Sequence, residues 1–87
     1  MEETYNGYEG FGDRDSAWAT WNAALWMDNE ESIYRARRRR MGMLYTDDRV
    51  KEFFMEYFPT GTPDMDPGDV NQVNWSEILE SWEAEDE

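Results

Sequence analysis

The chain contains no cysteine and no histidine. Their absence excludes disulfides, thiolate nucleophiles, zinc sites of the usual kind and imidazole acid–base chemistry, and with them most familiar enzyme mechanisms. Lysine occurs once against seven arginines, a usage that fits either a GC-rich genome or a salt-adapted host. Long apolar runs are missing as well: Ala23 to Met27 is among the longest, far short of a bilayer span. The opening MEETYNGYEG has neither a basic start nor an apolar stretch, so the expectation is a soluble protein working in the cytoplasm of its host cell.

Acid and aromatic residues are what the chain has in excess. Twenty-one carboxylates face eight bases over 87 residues, for a net charge of −13. The charge is uneven. Residues 1–31 hold eight acids and Arg14, residues 35–40 hold five arginines, and residues 47–87 hold thirteen acids against Arg49 and Lys51. Five tryptophans, five tyrosines and four phenylalanines provide enough large apolar surface for one small core despite the low mean hydropathy. This composition separates the chain from a disordered acidic tail.

Periodicity gives an all-α fold, a compact bundle of three to four short helices preceded by an irregular arm rich in aromatics and glycine. The arm covers residues 1–14, where Tyr5, Tyr8 and Phe11 alternate with Gly7, Gly10 and Gly12 and pack onto the domain. The helical domain covers 15–83. Its first helix is capped by Asp15 or Ser16 and runs to about Asp28, with Trp18, Trp21 and Leu25 on the inner face. A second is capped by Asn29 and ends at Gly42 in the left-handed conformation. Ile33, Ala36 and Arg40 form its inner face, so at least one arginine lays its stem along the core.

The third helix is capped by Thr46, carries the stripe Val50, Phe53, Phe54, Tyr57 and Phe58, and is stapled by Tyr45 against Val50. Pro59 closes it. All three prolines fall within residues 59–67, which gives an ordered loop. The last helix starts at Asn74 with Glu77 completing a capping box, Val73 stapling on Ile78, and Trp75, Ile78, Leu79 and Trp82 facing inward. Residues 84–87 form an acidic tail that frays.

No catalytic constellation stands out, and no cofactor or metal is implied. Asp64, Asp66 and Asp69 offer oxygen ligands, but counting from Asp64 a Trp75 falls where an EF-hand needs its glutamate, so weak ion binding is the most this loop suggests. On the third helix Asp48, Glu52 and Glu56 recur every four residues, an arrangement that costs a few tenths of a kcal/mol per pair in an isolated helix. With Glu77 and Glu80 they would form an acidic face with carboxylate rows roughly 6 Å apart, close to the scale on which phosphates line a nucleic-acid strand. Arg37, Arg38, Arg39 and Arg40 point all round a helix, which suits counter-charge at the negative end of its dipole and a secondary contact better than one flat binding face.

Tyr5-Asn6-Gly7-Tyr8, then Thr20-Trp21-Asn22, then Leu25-Trp26 and Asn29-Glu30 with Tyr34, resemble a family of small proteins carried by phages, plasmids and archaeal mobile elements. Residues 73–82 resemble the closing element of the same proteins. The resemblance covers about half of the chain and leaves the arginine run and third helix unmatched. It implies a genomic context in which small acidic proteins act against host defence, and it supplies no catalytic residue.

The expectation is therefore a non-enzymatic, acidic protein-binding module. It would inhibit a host nucleic-acid-handling defence complex, as an anti-CRISPR or antirestriction protein, by steric and charge mimicry of nucleic acid. Partners would be a protein or nucleoprotein complex, with no small-molecule substrate, no membrane, and direct nucleic-acid binding disfavoured by charge. Two alternatives stay open: an accessory protein binding nucleic acid through residues 35–40, and a salt-adapted protein whose acidity is only a hydration strategy.

Overall fold

The computed structural model describes residues 4–85, and for Met41, Pro67 and Glu85 only the backbone. Helix α1 spans Arg14–Asn29, α2 Glu31–Arg40, α3 Asp47–Tyr57 and α4 Trp75–Glu85, with 3₁₀ turns at Met41–Met43 and Pro67–Gln72. The fold is all-α. Among the described residues, extended pairing is limited to two isolated bridges, Tyr5 with Tyr8 and Pro59 with Gly61.

Helix α1 is the central element, packing against α2, α4 and the second 3₁₀ turn, while α3 packs on α4. Its cap is Asp13, whose carboxylate accepts from the Ser16 amide, not Asp15 or Ser16. Ser16 is withdrawn from capping because its hydroxyl is buried, accepting from Phe11 N and donating to the Gln72 carbonyl. The inner face of α1 also differs from expectation. Ala17, Ala19, Ala23, Ala24 and Met27 are buried with Ser16, Thr20 and Asn22, whereas Trp18, Trp21 and Leu25 lie half-buried along its flanks. A helix with neighbours on several sides buries its small residues where backbones approach closest and turns its large ones outward.

The step from α1 to α2 takes a single residue. Asn29 closes α1 instead of capping α2, and the Glu30 carbonyl accepts the first α2 amide, from Tyr34. Ile33 and Ala36 face inward as expected, but the buried arginine is Arg37, 2% exposed, while the Arg40 side chain is 44% exposed. Gly42 does not adopt the left-handed conformation. The chain tightens into the 3₁₀ turn, where the Leu44 amide still reaches the Arg40 carbonyl at 3.1 Å, so the α2 end is satisfied without an αL residue.

Thr46 caps α3 through the Arg49 amide, and Val50, Phe53 and Phe54 are buried. Tyr45 does not staple the helix; it is 65% exposed, and Leu44 one residue earlier is buried in its place. Tyr57 is also exposed, its ring edge-on to Phe53 at 5.4 Å. The proline-rich connection holds more helix than expected, since Asp66 and Asp69 form a capping box around the 3₁₀ turn that opens at Pro67.

In α4, Trp75, Ile78, Leu79 and Trp82 join Val73 in the core. Asn74 caps through Oδ1 to the Glu77 amide. The other half of the expected box is absent because Asn74 N donates to Thr20 Oγ1 and the Glu77 carboxylate is engaged elsewhere. The segment expected to fray, 84–87, is helical through Glu85, and 86–87 lie outside the described residues. The Cα radius of gyration, 12.1 Å, matches the ~12 Å of a single compact domain of this length.

Candidate functional site

The acidic face begins on α3. Asp48, Glu52 and Glu56 share one exposed side of the helix, as their spacing requires. Two of the three are partnered: Glu56 Oε2 lies 2.6 Å from Arg40 Nη1, and Glu52 Oε2 lies 3.5 Å from Arg49 Nη1. The Arg40 guanidinium also sits 5.7 Å from the centre of the Phe53 ring. Its hydrogen bond to Glu56, with the carboxylate's charge, holds the Arg40 pKa above the ordinary arginine value. Glu80 is exposed on α4.

Glu77 is not part of that face. Its Oε2 accepts from Glu9 N and its Oε1 from Gly10 N, each at 2.9 Å, so both oxygens clamp the N-terminal segment. Asn74 Nδ2 adds a bond to the Gly10 carbonyl at 2.7 Å. Gly10 has a φ of +61°, and a Cβ there would lie 2.5 Å from Ala17 N and Ser16 Oγ. The arm is thus seated directly on the first turn of α1. Further out, Asn6 and Gly7 have φ values of +48° and +91° between paired Tyr5 and Tyr8 backbones, the geometry of a two-residue hairpin. The arm is a small hairpin, and the Tyr5 ring lies 4.9 Å from Trp21.

The arginine run is dispersed. Arg35 pairs with Glu31 on the same helix, Arg38 and Arg39 are exposed, and Arg40 pairs with Glu56 across to α3. Arg37 is enclosed: its guanidinium carbon lies 4.8 Å from the ring centres of both Tyr34 and Trp82, and Nη1 is 3.6 Å from Asp28 Oδ1. Two aromatic faces and one carboxylate replace water around the charge.

A second polar network ties the 59–67 connection to α1. Asp64 Oδ2 accepts from Asn22 Nδ2 at 3.1 Å and Trp26 Nε1 at 3.0 Å, and the buried Thr62 hydroxyl donates to Asn22 Oδ1. The Asn22 bond, then the Trp26 bond, lowers the Asp64 pKa below its usual value. Asp64, read from sequence as a possible ion ligand, is a structural acceptor, while Asp69 Oδ2 takes the Asp66 amide at 3.0 Å. Thr20, Asn22 and Trp26 each hold a distant segment against α1.

Sequence reasoning missed two surface features. Met43 and Tyr45, each 65% exposed, crown the α2–α3 connection beside a recess of about 120 Å³ that reaches Arg40, Arg49 and Phe53. A larger recess, about 520 Å³, opens between the hairpin, the start of α1 and the second 3₁₀ turn. The Asn-Gly pair was the available signal for the hairpin that walls it. Among the described residues, no group of three acids gathers as a metal site and no helix is long and apolar enough to cross a membrane. Compared with known proteins, the chain matches no family model, no curated protein and no solved structure.

Proposed function

We propose that the chain is a non-enzymatic, acidic protein-binding module, a mobile-element inhibitor that occupies the basic groove of a host nucleic-acid-handling defence complex of the CRISPR or restriction class. One observation carries this reading. Of the arginines at 35–40, Arg37 is buried against Tyr34, Trp82 and Asp28, and Arg35 and Arg40 are paired with Glu31 and Glu56, while Asp48, Glu80 and much of the carboxylate excess face outward. A surface of one sign accelerates docking on a surface of the other and competes there with nucleic acid.

The same observation weighs against direct nucleic-acid binding through the arginine run. A buried Arg37 and pairs at Arg35 and Arg40 leave no continuous basic stripe along α2 for a phosphate backbone.

DNA cleavage by purified restriction and CRISPR complexes, assayed with and without the protein, tests the proposal. Inhibition of one class, relieved by excess DNA and lost in the triple reversal D48K/E52K/E80K, is the expected result. Those positions are exposed, and none anchors the hairpin. Inhibition untouched by the reversal would discard the acidic face, and no inhibition of either class would discard the defence assignment.

A further inference from the structure

The recess beside the hairpin is lined by Tyr5, Arg14, Asp15, Trp18, Asp69 and Gln72. Its two rings stand on different segments, the hairpin and α1, and both are half-buried. Two carboxylates accompany them, one from the first turn of α1 and one from the second 3₁₀ turn. Asp69 uses one oxygen on the Asp66 amide. The recess has a volume of about 520 Å³, within the roughly 300–1,000 Å³ of small-ligand clefts.

The molecule itself shows what such a set of groups holds. Arg37 rests between a tyrosine and a tryptophan, each 4.8 Å from its guanidinium carbon, with an aspartate alongside. The recess offers the same complement, Tyr5, Trp18 and Asp15, with Asp69 in addition. With Arg14 counted, its ionised groups sum to a negative charge, in a chain of net charge −13, so anions are repelled and cations drawn in.

We propose that this recess receives the guanidinium of an arginine side chain presented by a basic protein partner. This deepens the proposed function and rests on its basic partner. Nucleic-acid-handling grooves are lined with arginine and lysine, and a planar guanidinium stacks on aromatic faces and pairs with carboxylates where a compact, strongly hydrated ammonium does so less well. Arg14 is the one opposing group, and it fixes the sign of the ligand: removing its charge strengthens binding of a cation and weakens binding of an anion.

The probe is N-acetyl-argininamide, titrated into the full chain and followed by amide and indole N–H NMR shifts, with the citrulline analogue as neutral control and N-acetylglutamate as anionic control. Saturable shifts confined to the Trp18 indole and the amides of Asp15, Asp69 and Gln72 are expected, without saturation by either control. W18A should weaken the probe about fivefold to tenfold, as a half-open cation–π contact implies. D15N/D69N, which keeps the side-chain shapes, should weaken it similarly, and R14Q should tighten it. Shifts spread over all acidic residues, saturation by the citrulline or glutamate probe, or weaker binding in R14Q would overturn the proposal. Both readings separate cleanly: probe saturation with no inhibited defence complex retains the recess and discards the defence assignment. Inhibition unchanged in D15N/D69N, with no probe saturation, does the reverse.

Discussion

Arg37 is the residue whose role departs furthest from its appearance in the sequence. Burying a charge is costly even when it is paired, and an apolar side chain of similar length is often as stable. R37M is therefore expected to keep the thermal midpoint close to wild type, because it fills the space between Tyr34 and Trp82 while Asp28, 39% exposed, regains water. R37K should be less stable than R37M, since an ammonium loses the planar stacking and is more strongly hydrated. R37A, which leaves a cavity, should cost about 3 kcal/mol in denaturant unfolding. A ranking with lysine above methionine would show that charge, not packing, is what this site requires. That one arginine must enter the core was legible from the α2 spacing. Which one was not, because the deciding partner, Trp82, comes from α4, and local periodicity carries no information about it.

Asp64 supplies a second residue-scale test. Its folded-state pKa is lowered by Asn22 and Trp26, so the stability it contributes is present above the ordinary aspartate value of about 3.9 and is lost as pH falls through the lower folded-state value. Melting midpoints of wild type should fall more steeply than those of D64N as the pH is lowered through that window. Parallel curves would mean the carboxylate charge adds nothing.

At the scale of elements, α1 is held to the rest of the chain mainly by side chains from its own sequence. Thr20 donates to Ser16 and accepts the Asn74 amide at the start of α4. T20V leaves that half-buried amide without its acceptor and should cost about 1 kcal/mol, whereas T20S should restore most of it. The hairpin is a separate unit with its own lever. G10A places a methyl against the α1 backbone at a positive φ, and should release the hairpin at a cost of about 2 kcal/mol. Hydrogen exchange at Glu9 and Gly10 reads this directly, because those amides are held by Glu77. Helix number, the Thr46 cap and the inward stripe of α4 were readable from spacing and cap chemistry, as those signals are local. The alanine face of α1 was not, since hydrophobic periodicity weights tryptophan over alanine and close helix approach reverses that order. Nor was the role of Glu77: a capping-box pattern is indistinguishable in sequence from a carboxylate that serves a distant loop.

At the scale of the whole molecule, a net charge of −13 leaves carboxylate repulsion that the few ion pairs do not offset. The molecule measures 36 × 29 × 21 Å, and at 0.01 M salt the screening length of about 30 Å spans it almost entirely. Carboxylates on opposite sides then repel one another. Raising sodium chloride from 0.01 to 1 M, where that length shrinks to about 3 Å, should raise the melting midpoint, despite weakening of the exposed Arg40–Glu56 and Arg35–Glu31 pairs. A midpoint that falls with salt would show that local pairs outweigh the net charge. Acidity was legible in the composition; that Arg37 is drawn inward and Arg40 onto Glu56 was not, because it depends on which faces meet.

The polar struts of α1 carry one more consequence. Thr20, Asn22 and Trp26 spend their polar groups on Asn74, Thr62 and Asp64, so the ties that hold distant segments together lie on α1, and the outward side of α2 and α3 carries exposed ion pairs such as Arg40–Glu56. The chain divides into a chassis and an exchangeable facing. Exposed residues such as Arg39, Asp48 and Glu52 can be rewritten as a set, changing the charge that the surface presents while the chassis folds as before.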